Sequence, residues 1–133
     1  MARELTHRRR VQFSETDAAG IVHFSCFFRY MEDAEHALWR ENGLSIHPED
    51  SPIGWPRVAT SFEFHRALKF EQEFDVTIRV TDLTRRSVSY ACEMTQDGRK
   101  VATGTLKIAC VSTLPDGTMK STEVPEDIAR RFL

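Results

Sequence analysis

An α+β domain, with one long helix, five mainly antiparallel strands and a short C-terminal helix, is predicted by three features of this 133-residue chain. One early stretch carries apolar residues at helical spacing: Phe27, Met31, Ala34 and Leu38 recur at intervals of 4, 3 and 4. Beyond residue 56 the apolar period becomes two, which is the mark of half-buried strands. Asp97-Gly98 is a strong hairpin signal between two of those stretches. Strands clustered after a single helix argue against alternating βαβ units, so no parallel nucleotide-type sheet is expected.

Taken in order, Val11 and Phe13 alternate with Gln12 and Ser14, which reads as a short first strand. It ends in the polar turn Glu15-Thr-Asp-Ala-Ala-Gly20. Ser25 is placed to cap the helix, and Asn42-Gly43 to end it. Ser25 to Asn42 would make a rod of about 27 Å at 1.5 Å per residue. Residues 47–56 contain three prolines and cannot continue a helix. Strands are then expected over Val58–Phe64, Phe74–Val80, Val88–Met94 and Val101–Val111, and Pro125 opens a short terminal helix. With no linker, repeat or low-complexity tract, residues 1–133 read as one domain. One helix covers only part of a five-stranded sheet, so apolar surface and edges are left over, and self-association is the simplest cover.

The composition narrows the function. Eighteen Lys and Arg against twenty Asp and Glu give a net charge of −2, which offers no field for holding nucleic acid. Apolar runs such as Ile108–Val111 reach four residues, against the roughly 20 of a membrane span. The expectation is a soluble, cytosolic protein without membrane attachment. Cys26, Cys92 and Cys110 are odd in number and lack metal-site spacing, so reduced thiols are expected and no structural zinc.

The densest chemistry lies in Phe13–Cys26, a turn feeding the long helix. Asp17 stands on a tight turn, and Gly20 gives the backbone the freedom to approach a ligand closely. Helix-start N–H groups near His23 and Phe24 lack intrahelical partners and stabilise an oxyanion. Asp17 is a candidate nucleophile or general base, the pairing that acyl transfer to water requires. Taken alone, the same spacing also fits an Asx turn in which Asp17 merely satisfies turn amides.

The stretch Thr16-Asp-Ala-Ala-Gly-Ile-Val-His-Phe24, followed by Phe28-Arg-Tyr-Met-Glu-Asp-Ala34, resembles the hotdog-fold acyl-CoA thioesterases of the 4-hydroxybenzoyl-CoA thioesterase family. Phe62–Phe70 and Phe74-Asp-Val76 look like that family's second strand and the start of its third. The resemblance implies hydrolysis of a small, medium-chain or aromatic acyl-CoA, with coenzyme A as part of the substrate and no metal or redox cofactor. It assigns the catalytic carboxylate to Asp17, and the carbonyl-polarising amide to the N–H of Phe24 with its neighbours Val22 and His23. His23 could also move a proton. Attack gives a mixed anhydride or, through an activated water, direct hydrolysis. The resemblance further implies homodimers joined edge to edge, often paired into homotetramers, with sites at the subunit interface.

Gly20, Val22, Ser25 and Phe28 are the expected substrate-binding residues beside Asp17. Arg85-Arg86-Ser87, on the turn between the third and fourth strands, is placed by the resemblance near the coenzyme A nucleotide, where guanidiniums grip phosphates. A charged hairpin tip is the plainer account of it. Many relatives have arginine where this chain has Glu35, which reads as a solvated or interface carboxylate or, less simply, a second catalytic one. His7-Arg-Arg-Arg10 reads as edge protection or solubility ahead of the first strand. Competing functions are a thioesterase for acyl carrier protein, a non-catalytic acyl-binding hotdog protein and a nucleic-acid-binding β domain.

Overall fold

The computed structural model describes residues 3–133. A five-stranded sheet is made of β1 (Glu4–Arg10), β3 (Arg57–Phe64), β4 (Glu73–Leu83), β5 (Ser87–Gln96) and β6 (Arg99–Ala109). Its order is β1-β4-β5-β6-β3, with every neighbouring pair antiparallel. A small second sheet joins β2 (Ile53–Gly54), β7 (Val111–Thr113) and β8 (Met119–Ser121). The long helix α1 (Phe24–Glu41) lies on one face of the large sheet, and α2 (Glu126–Arg131) follows near the C-terminus.

The core forms where two periodicities meet. α1 buries Phe27, Tyr30, Met31, Ala34, Leu38 and Trp39, one stripe of a 3.6-residue repeat. Against it lie Phe74, Val76, Ile78 and Val80 of β4 and Val88, Tyr90, Cys92 and Met94 of β5, the alternate residues expected from the period of two. Asp97 and Gly98 both have positive φ, as a tight two-residue hairpin demands.

The first strand is a correction. It is Glu4–Arg10, the segment expected to precede it, and it pairs with β4 along its whole length. Arg8 and Arg10 reach Glu73 and Asp75 across the strand pair, while Arg9 points inward and lays its guanidinium 4.8 Å above the Tyr30 ring. The charged stems therefore do the packing that apolar residues do elsewhere. Val11 is fully buried, but Phe13 lies in a single 3-10 turn (Phe13–Glu15) and is 75% exposed, so the two share no strand face.

Two further differences concern local geometry. His23, not Ser25, is the N-cap of α1: its Nδ1 accepts the Ser25 N–H at 3.2 Å. On β3 the register slips at Val58, an extra exposed residue, so Arg57 opposes buried Ile108 and faces α1.

Candidate active site

The segment from Glu15 to His23 is a closed loop. Thr16 pairs with Val22, the Asp17 N–H donates to the Ile21 carbonyl (2.8 Å), and the Gly20 N–H to the Asp17 carbonyl (3.0 Å). Gly20 has φ +82°, a conformation that costs a side-chain-bearing residue about 1 kcal/mol or more. The Asp17 side chain is half-buried. Its Oδ1 accepts the Ala19 N–H at 2.8 Å and the Ile21 N–H, more loosely, at 3.4 Å. This is the Asx-turn arrangement, and it fixes the carboxylate while Oδ2 has no partner among the described residues. The Asx turn thus engages one carboxylate oxygen and leaves the other open.

The helix start is selective about which amide it leaves open. The Val22 N–H donates to the Leu68 carbonyl and the His23 N–H to the Glu15 carbonyl, both at 2.8 Å. The Ser25 N–H is taken by the His23 ring. Val22 and His23 therefore cannot share the amide role assigned to them with Phe24. The Phe24 N–H has no acceptor among the described residues and lies at the positive end of α1. The His23 ring has Nδ1 engaged with Ser25 and is stacked on Phe24 at 4.7 Å, which accounts for it as a cap.

Asp17, Ile21, Val22, Phe24 and Phe27 line one side of a cleft of about 350 Å³. The other side is Phe64-His65-Arg66-Ala67-Leu68, at the end of β3. Sequence reasoning placed these residues only on a strand. The signal that could have found them is the break in alternation after Phe64, where three polar or small residues precede the next buried one, Leu68. Arg66 and His65 bring the polar groups to a wall that is otherwise apolar, and His65 Nε2 lies 3.2 Å from Thr103 Oγ1. Exposed Phe24 and Phe64 stand on the cleft, and Phe13 and Phe70 pack edge to face at 5.7 Å beyond the same loop.

The remaining candidates lie elsewhere. Ser25 is exposed and occupied with His23. Phe28 packs edge to face on Phe62 and lines a separate cavity of about 110 Å³ with Met31, Glu32, Arg57, Thr60 and Leu106. Arg85 pairs with Glu123, Arg86 Nη1 reaches Ser121 Oγ at 3.3 Å, and buried Ser87 bonds Thr84. That turn follows β4, whose eleven residues run from the cleft end of the sheet, so about 30 Å separates it from the cleft of the same chain. Glu35 is fully buried, against the expectation of a solvated carboxylate, and is gripped by Arg57 at 2.6 and 3.3 Å. Burial lifts its carboxyl above the usual carboxylate range, with Arg57 opposing the rise. Among the described residues no three His, Cys, Asp or Glu side chains are grouped to hold a metal, and no helix is long and apolar enough to cross a membrane.

A carboxylate and an open helix-start amide thus share one cleft, and the sheet wrapped around a single helix is the hotdog fold. A family model described as the thioesterase-like superfamily matches residues 11–132, and the chain belongs to that superfamily. A protein of Aquifex aeolicus (strain VF5) with a provisional esterase name is 34% identical over 86 residues, 64% of this chain and 67% of that one. The 1,4-dihydroxy-2-naphthoyl-CoA hydrolase of Crocosphaera subtropica (strain ATCC 51142 / BH68) is 27% identical over 81 residues. That match spans 59% of each chain, less than two thirds of the relative. The solved structure of 4-hydroxybenzoyl-CoA thioesterase from Pseudomonas sp. strain CBS-3 superposes with a TM-score of 0.86 at 20% identity, over 98% of this chain and 99% of that one, a likeness of fold.

Proposed function

We propose that this protein hydrolyses a small, medium-chain or aromatic acyl-CoA to the carboxylic acid and free coenzyme A. The observation that carries the reading is the Asp17 carboxylate, anchored through one oxygen, on the same cleft as the unpaired Phe24 N–H. The thioester carbonyl would accept from the Phe24 N–H, which stabilises the oxyanion as it forms. In the nucleophilic route Asp17 Oδ2 bonds to the carbonyl carbon, the C–S bond breaks, and the thiolate leaves and takes a proton from water. Water then cleaves the anhydride and restores Asp17. In the general-base route Asp17 takes a proton from the attacking water, the C–S bond breaks as the tetrahedral adduct collapses, and the proton passes from Asp17 to the leaving thiolate, which restores the carboxylate. Neither route uses a metal or redox cofactor. The apolar wall of Phe24, Phe27 and Phe64 favours an apolar or aromatic acyl group, as does the naphthoyl substrate named for the Crocosphaera relative.

The site is completed by a second copy. The β1 edge is guarded by the ion pairs of Arg8 and Arg10, whereas the β3 edge exposes Val58, Ala59, Thr60 and Ser61 beside unpaired main chain. Antiparallel pairing of two β3 edges reverses one sheet against the other, which brings the far end of the partner sheet, with its Arg85-Arg86 turn, towards the cleft of the first. This supports a nucleotide-binding role for the turn in a dimer that it lacks in one chain.

The test is steady-state hydrolysis of short, medium, long and aromatic acyl-CoAs, with Asp17→Asn in parallel and the oligomeric state measured by sedimentation. Turnover by the wild type with a loss of about 100-fold or more in Asp17→Asn is expected. Equal rates for both proteins would remove Asp17 from the chemistry.

A further inference from the structure

Glu15 stands two residues before Asp17 and belongs to none of the groups assigned to the reaction above. Its contacts are unusually many for a residue in a turn. Oε1 accepts the Gln12 N–H at 2.8 Å and the Tyr30 hydroxyl at 2.9 Å, while Oε2 faces Arg9 Nη2 at 3.5 Å. Its main-chain carbonyl accepts the His23 N–H at 2.8 Å and faces the Cys26 thiol at 3.6 Å. Tyr30 is wholly buried two turns into α1, and its ring carries the Arg9 guanidinium on one face. Burial and the Glu15 carboxylate push the Tyr30 phenol well up, so it stays a hydrogen-bond donor across the working pH range.

Through these bonds one residue ties the end of β1, the 3-10 turn and the first two turns of α1 into one body. The consequence bears on the two reacting groups directly. The carbonyl of Glu15 occupies the His23 N–H, which leaves the Phe24 N–H as the open amide, and its side chain fixes where the strand of the loop that leads to Asp17 starts. Building on the reading of Asp17 as the reacting carboxylate, we infer that Glu15, held by Tyr30, is the positioning residue that sets the distance between the Asp17 carboxylate and the Phe24 N–H. It touches neither substrate nor the reacting atoms. A misplacement of about 1 Å at a reacting group is worth up to about 100-fold in rate, so a brace at this point acts on turnover more than on binding.

The experiment compares wild type, Glu15→Ala, Glu15→Gln, Tyr30→Phe and Asp17→Asn on the acyl-CoA that the wild type hydrolyses fastest. Native-state amide hydrogen exchange is followed in the same proteins. Glu15→Ala is expected to lower kcat by about 10- to 100-fold with KM within about twofold. Glu15→Gln, whose amide oxygen still accepts from Gln12 and Tyr30, recovers most of that loss. Tyr30→Phe removes one hydroxyl from a ring that stays packed, and gives a smaller fall in kcat of the same kind. Exchange at Ala19, Ile21 and His23 quickens by about tenfold or more in Glu15→Ala and Tyr30→Phe, while amides of β4 and β5 keep their protection. Wild-type kcat in both Glu15→Ala and Tyr30→Phe, with Asp17→Asn inactive, overturns the inference and leaves the proposed chemistry standing. A loss in Glu15→Ala that raises KM and lowers sheet protection equally marks a merely structural residue and overturns it too. Asp17→Asn as active as wild type instead removes the reading on which the inference rests.

Discussion

Removing Arg57 should destabilise this protein far more than neutralising the carboxylate it grips. Glu35 is wholly buried, while the Arg57 side chain keeps 29% of its exposure and has other company: Glu32 Oε2 at 3.1 Å and the Trp55 carbonyl at 3.4 Å. Arg57→Met leaves a buried carboxylate with, among the described residues, the Tyr90 hydroxyl and, at 3.8 Å, the His36 ring, and breaking a buried pair in this way costs about 3–5 kcal/mol. Glu35→Gln keeps the shape and much of the hydrogen bonding, and leaves Arg57 with Glu32 and water, at a cost of about 1 kcal/mol. The pH dependence has a definite sign. Because burial raises the Glu35 carboxyl in the folded state, the native protein holds that proton at pH values where the unfolded chain has lost it. Stability therefore falls as pH rises from the ordinary carboxylate range through the folded-state value of Glu35. Arg57 opposes the rise, so its removal extends that window upward and makes the deficit of Arg57→Met larger at about pH 8 than at about pH 5. Urea unfolding followed by circular dichroism at three pH values measures it. Arg57→Met no worse than Glu35→Gln, or a deficit flat in pH, would refute the argument.

Two other outcomes follow from the sheet. A β-carbon on Gly104 would come within 2.6 Å of the Phe62 ring, which is itself in contact with Phe27, Phe28 and Phe64. Gly104→Ala should cost about 1–3 kcal/mol by overpacking, read as a lower thermal midpoint, and an unchanged midpoint would mean that the ring moves freely. Cys92 and Cys110 are buried and their thiols are pushed up by burial, Cys92 to about 12. A disulfide reagent should therefore label at most the half-buried Cys26 in the native protein and all three thiols after unfolding. Native labelling of a second thiol would show the sheet opening on the assay timescale.

How much of the fold could be read in advance depended on whether each element has two unlike faces. β4 and β5 do: Phe74, Val76, Ile78 and Val80, like Val88, Tyr90, Cys92 and Met94, alternate with polar or small residues because one face meets α1 and the other does not. β1 has two faces as well, but Arg9 fills its inward place by stacking on Tyr30, and a pattern of apolar letters passes over it. The strands β2, β7 and β8 are two or three residues long, too short for any period to show. The slip at Val58 is also silent in the letters, since Val58, Thr60, Phe62 and Phe64 look like one continuous face. Only the opposing strand, with Ile108 across from Arg57, reveals that Arg57 has changed sides.

That the proposed site residues share one place was legible for a different reason. Asp17, Gly20 and Phe24 lie within eight residues, so a turn and a helix start suffice to bring them to one place. Which amide stays open is another matter, because it is decided by acceptors from both near and far. Three consecutive N–H groups, those of Val22, His23 and Phe24, enter the helix start on equal terms by sequence. Leu68, brought alongside by the Ile21–Lys69 bridge, takes the first, and Glu15 takes the second. Spacing along the chain carries no trace of a partner more than forty residues away. The open amide is thus a product of tertiary structure: among the described residues the Phe24 N–H is what the helix start leaves unsatisfied once Leu68 and Glu15 have engaged its neighbours.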